Sequence, residues 1–440
     1  MDAIIRLSEG LQYVVSGAVG LCGGWFLLAT KGLFGWEKRV WEALREKPAA
    51  GEVSPRRALS LALAGTLGVG NIAGVGSALS LGGPGALFWM ALSAIFAMFL
   101  KYAETLLAML HRNRESDGSV HGGAMYCMPR RWGCLFSLLC LGCSLTIGNG
   151  MQVRAVVSIG ENMCGDRLPV AAIVGGCLTL LLLAVLLGGK RRLFALAAGL
   201  VPAMTVGYLL LCLLVLWKNA ASLPGALRTV FISAFHPAAA CGGVVGYTVF
   251  SGIRYGFIRG LVSNEAGAGT APIAHAAAEE TSPVTQGCMG MLEVAIDTLL
   301  LCSLSALCIL VTGGAAPGEQ DGMQVALTAF TATLGPAAGW LLFAAVFLFA
   351  FATAVSWSFY GREALHFLTD RLPDKKAARC EQLYLLVYSL LALPAAFLSA
   401  GRIWQAADLC IVAMTLLNLC ALWKRREEIL AETRRAGLLH

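Results

Sequence analysis

Eleven long apolar runs dominate this chain, and each could cross the roughly 30 Å hydrocarbon core of a bilayer as a helix. The runs are continuously apolar, whereas strands of a membrane barrel alternate, and lipid leaves no partners for open backbone groups. The predicted spans are residues 11–35, 57–82, 84–110, 133–156, 170–189, 193–217, 239–262, 285–313, 336–361, 382–400 and 403–423. We therefore predict an all-α integral membrane protein with about 11 transmembrane helices.

The charged residues are too few for a soluble protein of this size. Only 13% of the 440 residues are charged, against about 25% in soluble domains, so membrane lipids must cover part of the surface. The formal net charge of +7 comes from basic residues in short connections between the apolar runs. Because they form no continuous basic face, the composition argues against a nucleic-acid partner.

Lysine and arginine are concentrated in every second connection. The first, third, fifth and ninth connections and the tail are basic, whereas residues 82–84 and 314–335 contain no Lys or Arg. The positive-inside rule then predicts a cytoplasmic C-terminus and an N-terminus outside the cell. We expect a multi-pass protein of a bacterial or archaeal cytoplasmic (inner) membrane.

The second span contains five glycines around a polar residue in its central part, LALAGTLGVGNIAGVGSALSLGG. Glycine weakens a helix and tolerates unusual backbone angles, so an unwound segment is one interpretation. Close helix packing through pairs such as Gly70 and Gly74 is the other. Asn71, between two of these glycines, favours a break that lines a cavity.

The seventh span runs apolar and then meets Ser263, Asn264 and Glu265, which a lipid-facing helix would not carry. Either the helix breaks there or these residues mark its cytoplasmic end. With the first span set aside, the two interrupted helices are core helices 1 and 6. Each opens a block of five spans, and two blocks with an odd number of spans insert with opposite topology.

This arrangement predicts an N-terminal extra helix followed by a 5+5 inverted repeat with broken core helices 1 and 6. The corresponding segments are 1–56 with the extra helix and a loop, 57–217 and 239–423 as the repeats, and 424–440 as the tail. Paired broken helices in inverted halves indicate a transporter site. Freed amides there can bind a carboxylate, and freed carbonyls can coordinate a small cation.

Several blocks resemble the alanine or glycine:cation symporter family, which has a leucine-transporter-like fold. They include GVGNIAGVGSALSLGGPGALFWM (68–90), HGGAMYCM (121–128), RGLVSNEAGAGTAPIAHAAAE (259–279) and FATAVSWSFYGREAL (351–365). The resemblance extends in order over nearly the whole chain. It implies symport of a small neutral amino acid, alanine or glycine, with Na+ as the coupling ion.

The same resemblance assigns site residues. Those implied for the substrate are Gly68, Val69, Gly70 and Asn71 at the carboxylate, then Gln152, Val262, Ser263 and Trp357. Those implied for the cation are the carbonyls of Ala64 and Leu67 and the hydroxyl of Thr353, with Ser356 one turn away. The family often has Thr in place of Val69, Phe in place of Val262 and a hydroxyl in place of Ala352. These differences bear on how large a substrate the site accepts and on which cation it binds.

Other buried polar residues leave alternatives open. Asp297 and Glu293 lie in core helix 7, where an ion pair and a contact with the coupling ion both fit. His121 and His275 have no companion ligands nearby in the sequence, so we expect neither to bind a metal. A proton-coupled or uncoupled carrier of the same fold, or a non-transporting receptor, remains an alternative. No nucleophile and base pair indicates an enzyme, and nothing in the sequence predicts the oligomeric state.

Overall fold

The computed structural model describes residues 2–33, 35–45, 53–115, 118–165, 169–235, 249–279, 281–313, 318, 321–398 and 400–438. Side chains are described from residue 10 onward, except at 400–408. Within these ranges the regular structure is helical apart from one short hairpin, β1 Asn113–Arg114 with β2 Val120–His121. The predicted all-α membrane fold is confirmed.

The α-helices follow the predicted spans closely. In chain order they are α1 Asp2–Ala29, α2 Trp36–Arg45, α3 Pro55–Thr66, α4 Ala73–Gly82, α5 Ala86–Leu110, α6 Arg130–Leu145, α7 Gln152–Cys164, α8 Val170–Leu186, α9 Gly189–Lys218, α10 Leu223–Phe235, α11 Val249–Asn264, α12 Ala271–Ala276, α13 Pro283–Val294, α14 Ser303–Val311, α15 Gly322–Leu334, α16 Ala337–Thr369, α17 Asp374–Leu390, α18 Ala392–Ala395, α19 Ala400–Lys424 and α20 Arg426–Arg435. Among the described residues, six helices are long and apolar enough to cross a membrane, or seven if the bent pair α3 and α4 is one span. The total of eleven spans stays a prediction.

Two of the helices that lie outside the predicted spans are short and apolar. These helices, α10 and α15, have 13 residues each, so each extends about 20 Å and is too short to cross the hydrocarbon core. The hydropathy window averages them with their polar neighbours. The predicted seventh span begins at residue 239, but residues 236–248 lie outside the described part, which resumes with α11.

Glycines let the two helices α11 and α13 pack closely against α5. A side-chain carbon on Gly256 of α11 would overlap the carbonyl of Ala86, and one on Gly287 of α13 would lie 2.8 Å from the ring of Tyr102. Small residues of this kind let helix backbones approach closely in membranes. Helices α5, α11 and α13 therefore form one packed group, whereas α16 packs against α3, α6, α7 and α9 in a second group.

Helices α4 and α15 meet backbone to backbone. A side-chain carbon on Gly76 would overlap the carbonyl of Gly322, and one on Gly322 would overlap the carbonyl of Ala73. Any larger residue at either glycine would have to push the two helices apart. The contact joins the second half of core helix 1 to the short helix α15.

Candidate substrate and cation site

The first break comprises residues 67–72, between α3 and α4. Helix α3 ends at Thr66, Gly68 is extended (φ −127°, ψ −161°), and Val69–Asn71 form one 3-10 turn. The two flanking helices are bent by 63°. The Asn71 side chain stabilises the unwound backbone by accepting a hydrogen bond from the Gly68 amide at 3.0 Å. The predicted interruption of core helix 1 is confirmed.

The second break comprises residues 265–270, between α11 and α12. Glu265, Gly267 and Gly269 all have positive φ, at 53°, 90° and 74°. That region suits glycine but is unusual for a glutamate, so backbone strain is concentrated at Glu265. Its carboxylate accepts a hydrogen bond from Thr270 at 2.6 Å, which closes the turn. The predicted interruption of core helix 6 is confirmed.

Both breaks converge on Asp297, which lies on core helix 7 and is fully buried. From the first break, Asn71 Nδ2 donates to Asp297 Oδ1 at 2.6 Å. Beside the second, Ser263 Oγ in the last turn of α11 donates to Asp297 Oδ2 at 3.0 Å. Thr298, the next residue on core helix 7, donates to the same oxygen at 2.7 Å. Each of these partners is neutral. An ionised carboxylate away from water is costly without a positive partner, so Asp297 requires either a cation beside it or a bound proton.

Gln152 and Thr353 both lie beside the first break. A side-chain carbon on Gly68 would lie 3.0 Å from Thr353 Oγ1 and 3.3 Å from Gln152 Oε1. Gln152 Nε2 donates to the carbonyl of Ile147 at 3.2 Å, whereas its Oε1 is buried without a partner among the described residues. A buried acceptor without a donor suits a ligand that brings its own N–H groups.

The residues predicted for the cation are close together, with one difference. Thr353 Oγ1 lies 3.3 Å from the carbonyl of Leu67 and donates to it, as expected for neighbours on α16 and core helix 1. Ser356 instead donates to the carbonyl of Leu61 at 2.7 Å, one turn before Ala64. Helix α16 therefore offers two hydroxyls along the end of α3, and only that of Thr353 reaches the break.

Two predicted substrate residues lie at the edge of the site around Asp297. Trp357 is fully buried and packs directly on Gly148, where no side chain could be accommodated. Val262 directly precedes Ser263 on α11 and is 45% exposed. Its side chain lines a cavity together with Val15 of α1 and Val412 of α19. In contrast, a side-chain carbon on Gly70 would lie 3.9 Å from Ser263 Cα, so the first break lies beside the end of α11 that leads into the second break.

A second buried cluster lies one turn from Asp297 on the same helix. Lys101 Nζ lies 3.7 Å from Glu293 Oε1, and both side chains are fully buried. His275 Nε2 lies 3.0 Å from Glu293 Oε2, and Gln286 Nε2 lies 2.6 Å from His275 Nδ1. With Gln286 donating to Nδ1, His275 donates its Nε2 hydrogen to Glu293. Glu293 therefore has a resident cation, and the ion-pair alternative applies to it.

Two π-helical segments line the site, and the sequence analysis missed both. Thr146–Met151 joins α6 to α7 and ends directly before Gln152, while Ala295–Cys302 joins α13 to α14 and carries Asp297. Such segments occur often at functional sites because they re-aim side chains. The glycines of GNG at 148–150 are the one signal that could have indicated the first of them.

Comparisons with known proteins agree with this geometry. The profile of the sodium:alanine symporter family matches residues 18–435. The chain belongs to the sodium:alanine symporter family. Its members are transporters, so the expectation that the protein is not an enzyme is confirmed. Family membership and the apolar helices make it a multi-pass membrane transporter.

Two relatives and one solved structure place the chain more closely. It is 37% identical over 397 residues to an uncharacterized transporter of Haemophilus influenzae, covering 89% of this chain and 85% of the relative. It is 34% identical over 409 residues to the sodium/alanine symporter AgcS of Methanococcus maripaludis, covering 90% and 87%. The structure of a Na+-coupled sialic acid symporter matches with TM-score 0.60 and 13% identity, over 95% of this chain and 87% of that chain, which shows the fold alone. Family and relatives together support an amino-acid:cation symporter.

Proposed function

We propose that the protein is a sodium-coupled symporter that imports small neutral amino acids, alanine or glycine, by alternating access. The observation that carries this proposal is the convergence of both helix breaks on Asp297, a buried carboxylate whose described partners are neutral. A zwitterion and a cation supply the complementary charges that this centre lacks.

The amino acid binds between the first break and the end of α11 that leads into the second break. Its carboxylate faces the amides of Val69 and Gly70, which open a 3-10 turn and have no partners within that turn. Its ammonium group donates to Gln152 Oε1, the acceptor without a described partner. Trp357 borders the substrate side chain, whereas Val262 lines the neighbouring cavity between α11, α1 and α19. The space between Gly70 and Ser263 would hold a methyl group in van der Waals contact, which suits a small substrate side chain.

The cation has two candidate positions. The first is the one implied by the resemblance, formed by the carbonyls of Ala64 and Leu67 and the hydroxyls of Thr353 and Ser356, in which Thr353 already contacts the Leu67 carbonyl. The second is beside Asp297, where a fixed negative charge attracts a cation more strongly than carbonyl dipoles do. A cation at either position and the substrate share the first break, which gives them a route to bind cooperatively.

The orientation follows from the charge pattern. With the N-terminus outside and the C-terminus in the cytoplasm, α11 forms the outer half of core helix 6 and α12 the inner half. The cell's inward sodium gradient then drives import. Coupling requires that Na+ and the amino acid together stabilise conformations that neither stabilises alone.

Proteoliposomes containing the purified protein test this proposal. We expect labelled alanine to accumulate when an inward Na+ gradient is imposed and not when choline replaces Na+. Competition by glycine, serine and glutamine then defines the substrate size. Accumulation that persists without Na+ and follows an inward proton gradient would replace sodium with proton coupling, for which Asp297 is the candidate carrier. Absence of concentrative uptake under every gradient would refute symport.

A further inference from the structure

Three potential metal ligands meet at the connection between α5 and α6. Glu115 follows β1, His121 ends β2, and His366 lies in the last turns of α16. One ligand atom from each lies within 4.8 Å of the other two. His366 Nε2 and Glu115 Oε1 are already 2.9 Å apart. The expectation that His121 has no companion ligands is wrong, because Glu115 lies six residues before it and His366 approaches from α16.

His121 is held in the orientation that a metal ligand needs. Its Nδ1 lies 2.7 Å from Glu363 Oε2, a buried carboxylate that also pairs with Lys190 at 2.8 Å. A carboxylate accepts a proton, so Nδ1 carries the hydrogen and Nε2 keeps its lone pair free for a ligand. Ser119 Oγ lies 3.2 Å from that Nε2. The carboxylate–histidine arrangement is the usual support of a histidine bound to a metal.

The two imidazole rings have to turn relative to each other before they can share an ion. The imidazoles of His121 and His366 are stacked, with centroids 3.7 Å apart and planes 12° from parallel. A metal ion lies in the plane of each imidazole that binds it, so one ring must turn out of the stack before both rings and Glu115 bind one ion with bonds of about 2.0–2.1 Å. The side chains of His366 and Glu115 are partly exposed, at 21% and 36%, and are free to make that adjustment.

We propose that Glu115, His121 and His366 form a binding site for one borderline divalent transition-metal ion, with Zn2+ as the best-fitting ion. Two imidazole nitrogens and one carboxylate suit Zn2+ and its neighbours, whereas Mg2+ and Ca2+ prefer oxygen ligands alone. Three protein ligands leave the fourth position to water or to Ser119. This inference concerns a different region from the proposed transport site and stands independently of it.

A bound ion would connect the two helix groups. The connection that carries Glu115 and His121 continues from α5, which packs with α11 and α13, whereas His366 belongs to α16 in the other group. An ion there cross-links the groups at one end of the bundle. Because alternating access requires relative movement of such groups, we expect the ion to slow transport.

Metal titration of the purified full-length protein tests the site. Free thiols are alkylated first, because exposed cysteines such as Cys177 and Cys420 also bind Zn2+. We expect one ion per chain, measured by equilibrium dialysis with Zn2+ and by the visible absorption of four-coordinate Co2+. His366→Ala should abolish this binding. Glu363→Gln should weaken it roughly 10–100-fold, as loss of an orienting carboxylate does.

His111→Ala is the matched control. His111 also lies beside a carboxylate, 2.7 Å from Glu428, but it belongs to no three-ligand group among the described residues. It should bind the ion as the unchanged chain does. Equal binding by the unchanged chain and His366→Ala, or displacement by equimolar Mg2+, would overturn the site. Zn2+ should also slow alanine uptake in the unchanged chain and His111→Ala but not in His366→Ala, and an equal effect in all three would overturn the cross-link.

Discussion

Two buried carboxylates one turn apart on core helix 7 are stabilised in opposite ways. Glu293 has the ammonium group of Lys101 at 3.7 Å and the imidazole of His275 at 3.0 Å. Asp297 receives hydrogen bonds from Asn71, Ser263 and Thr298, all neutral groups. One charge is therefore neutralised inside the protein, whereas the other lacks a described counter-ion.

The difference separates a structural role from a functional one. A permanent counter-ion makes Glu293 part of the packing between α5 and α13, and this charge does not need to change during transport. Hydrogen bonds from neutral groups orient Asp297 without cancelling its charge. An ion that binds there gains the full attraction of the carboxylate and leaves again when the breaks rearrange, as a coupling ion must.

The largest expected effect comes from replacing Lys101, the positively charged partner of Glu293. Lys101→Met leaves Glu293 charged and unpaired, which costs about 3–5 kcal/mol in buried pairs of this kind. We expect a large drop in the melting temperature of the purified protein. The double variant Lys101→Met with Glu293→Gln should recover most of the stability, because it removes both charges. Equal melting temperatures for the single variant and the unchanged protein would remove the contrast between the two carboxylates.

The next largest effect is expected at Asp297, the carboxylate whose described partners are neutral. Asp297→Asn keeps the shape and removes the charge, so we expect sodium to bind about 100-fold more weakly, equivalent to about 2.8 kcal/mol. Without Na+ the variant should melt no lower than the unchanged protein, and added Na+ should no longer raise its melting temperature. Asp374→Asn, an exposed residue at the start of α17, is the control and should change neither property. Unaltered sodium dependence in Asp297→Asn would assign the ion to the other candidate position.

The smallest expected effect tests the other candidate cation position, at the carbonyls of Ala64 and Leu67. Thr353→Val keeps the side-chain shape and removes the hydroxyl that contacts the Leu67 carbonyl. Loss of one such interaction, about 1.4 kcal/mol at most, predicts a sodium concentration for half-maximal uptake raised roughly tenfold. Ser356→Ala should matter less, because that hydroxyl donates to Leu61. If Thr353→Val abolishes uptake while Asp297→Asn spares it, the sodium ion binds at the carbonyl site.

The interrupted helices could be predicted from the sequence because their signals are local. Glycines beside Asn71 in an apolar run, and a polar triplet at the end of another, conflict with an intact helix in lipid at the residues concerned. The short helices α10 and α15 could not be separated from the connections, since hydropathy reports only segments that cross the bilayer. The opposite topology of the two halves remains an interpretation of span counts.

The chemistry of the site was less predictable, since it depends on contacts across the chain. Asn71 and Asp297 are separated by 226 residues, and Glu115 and His366 by 251. No local pattern indicates that Asp297 has neutral partners while Glu293 has a lysine. The π-helical segment that carries Asp297 looks like ordinary apolar helix in the sequence, because its distortion comes from packing.

The glycine contact between α4 and α15 gives the bend in core helix 1 a mechanical consequence. Gly76 lies five residues beyond Asn71, about 7 Å along the helix, so each 10° change of the bend displaces it by about 1 Å. With no side chains to absorb that displacement, α15 has to travel with α4. The first break then acts as a hinge and α4 as a short lever. A change of the bend at the binding site is thereby transmitted to α15, a helix that is too short to cross the membrane.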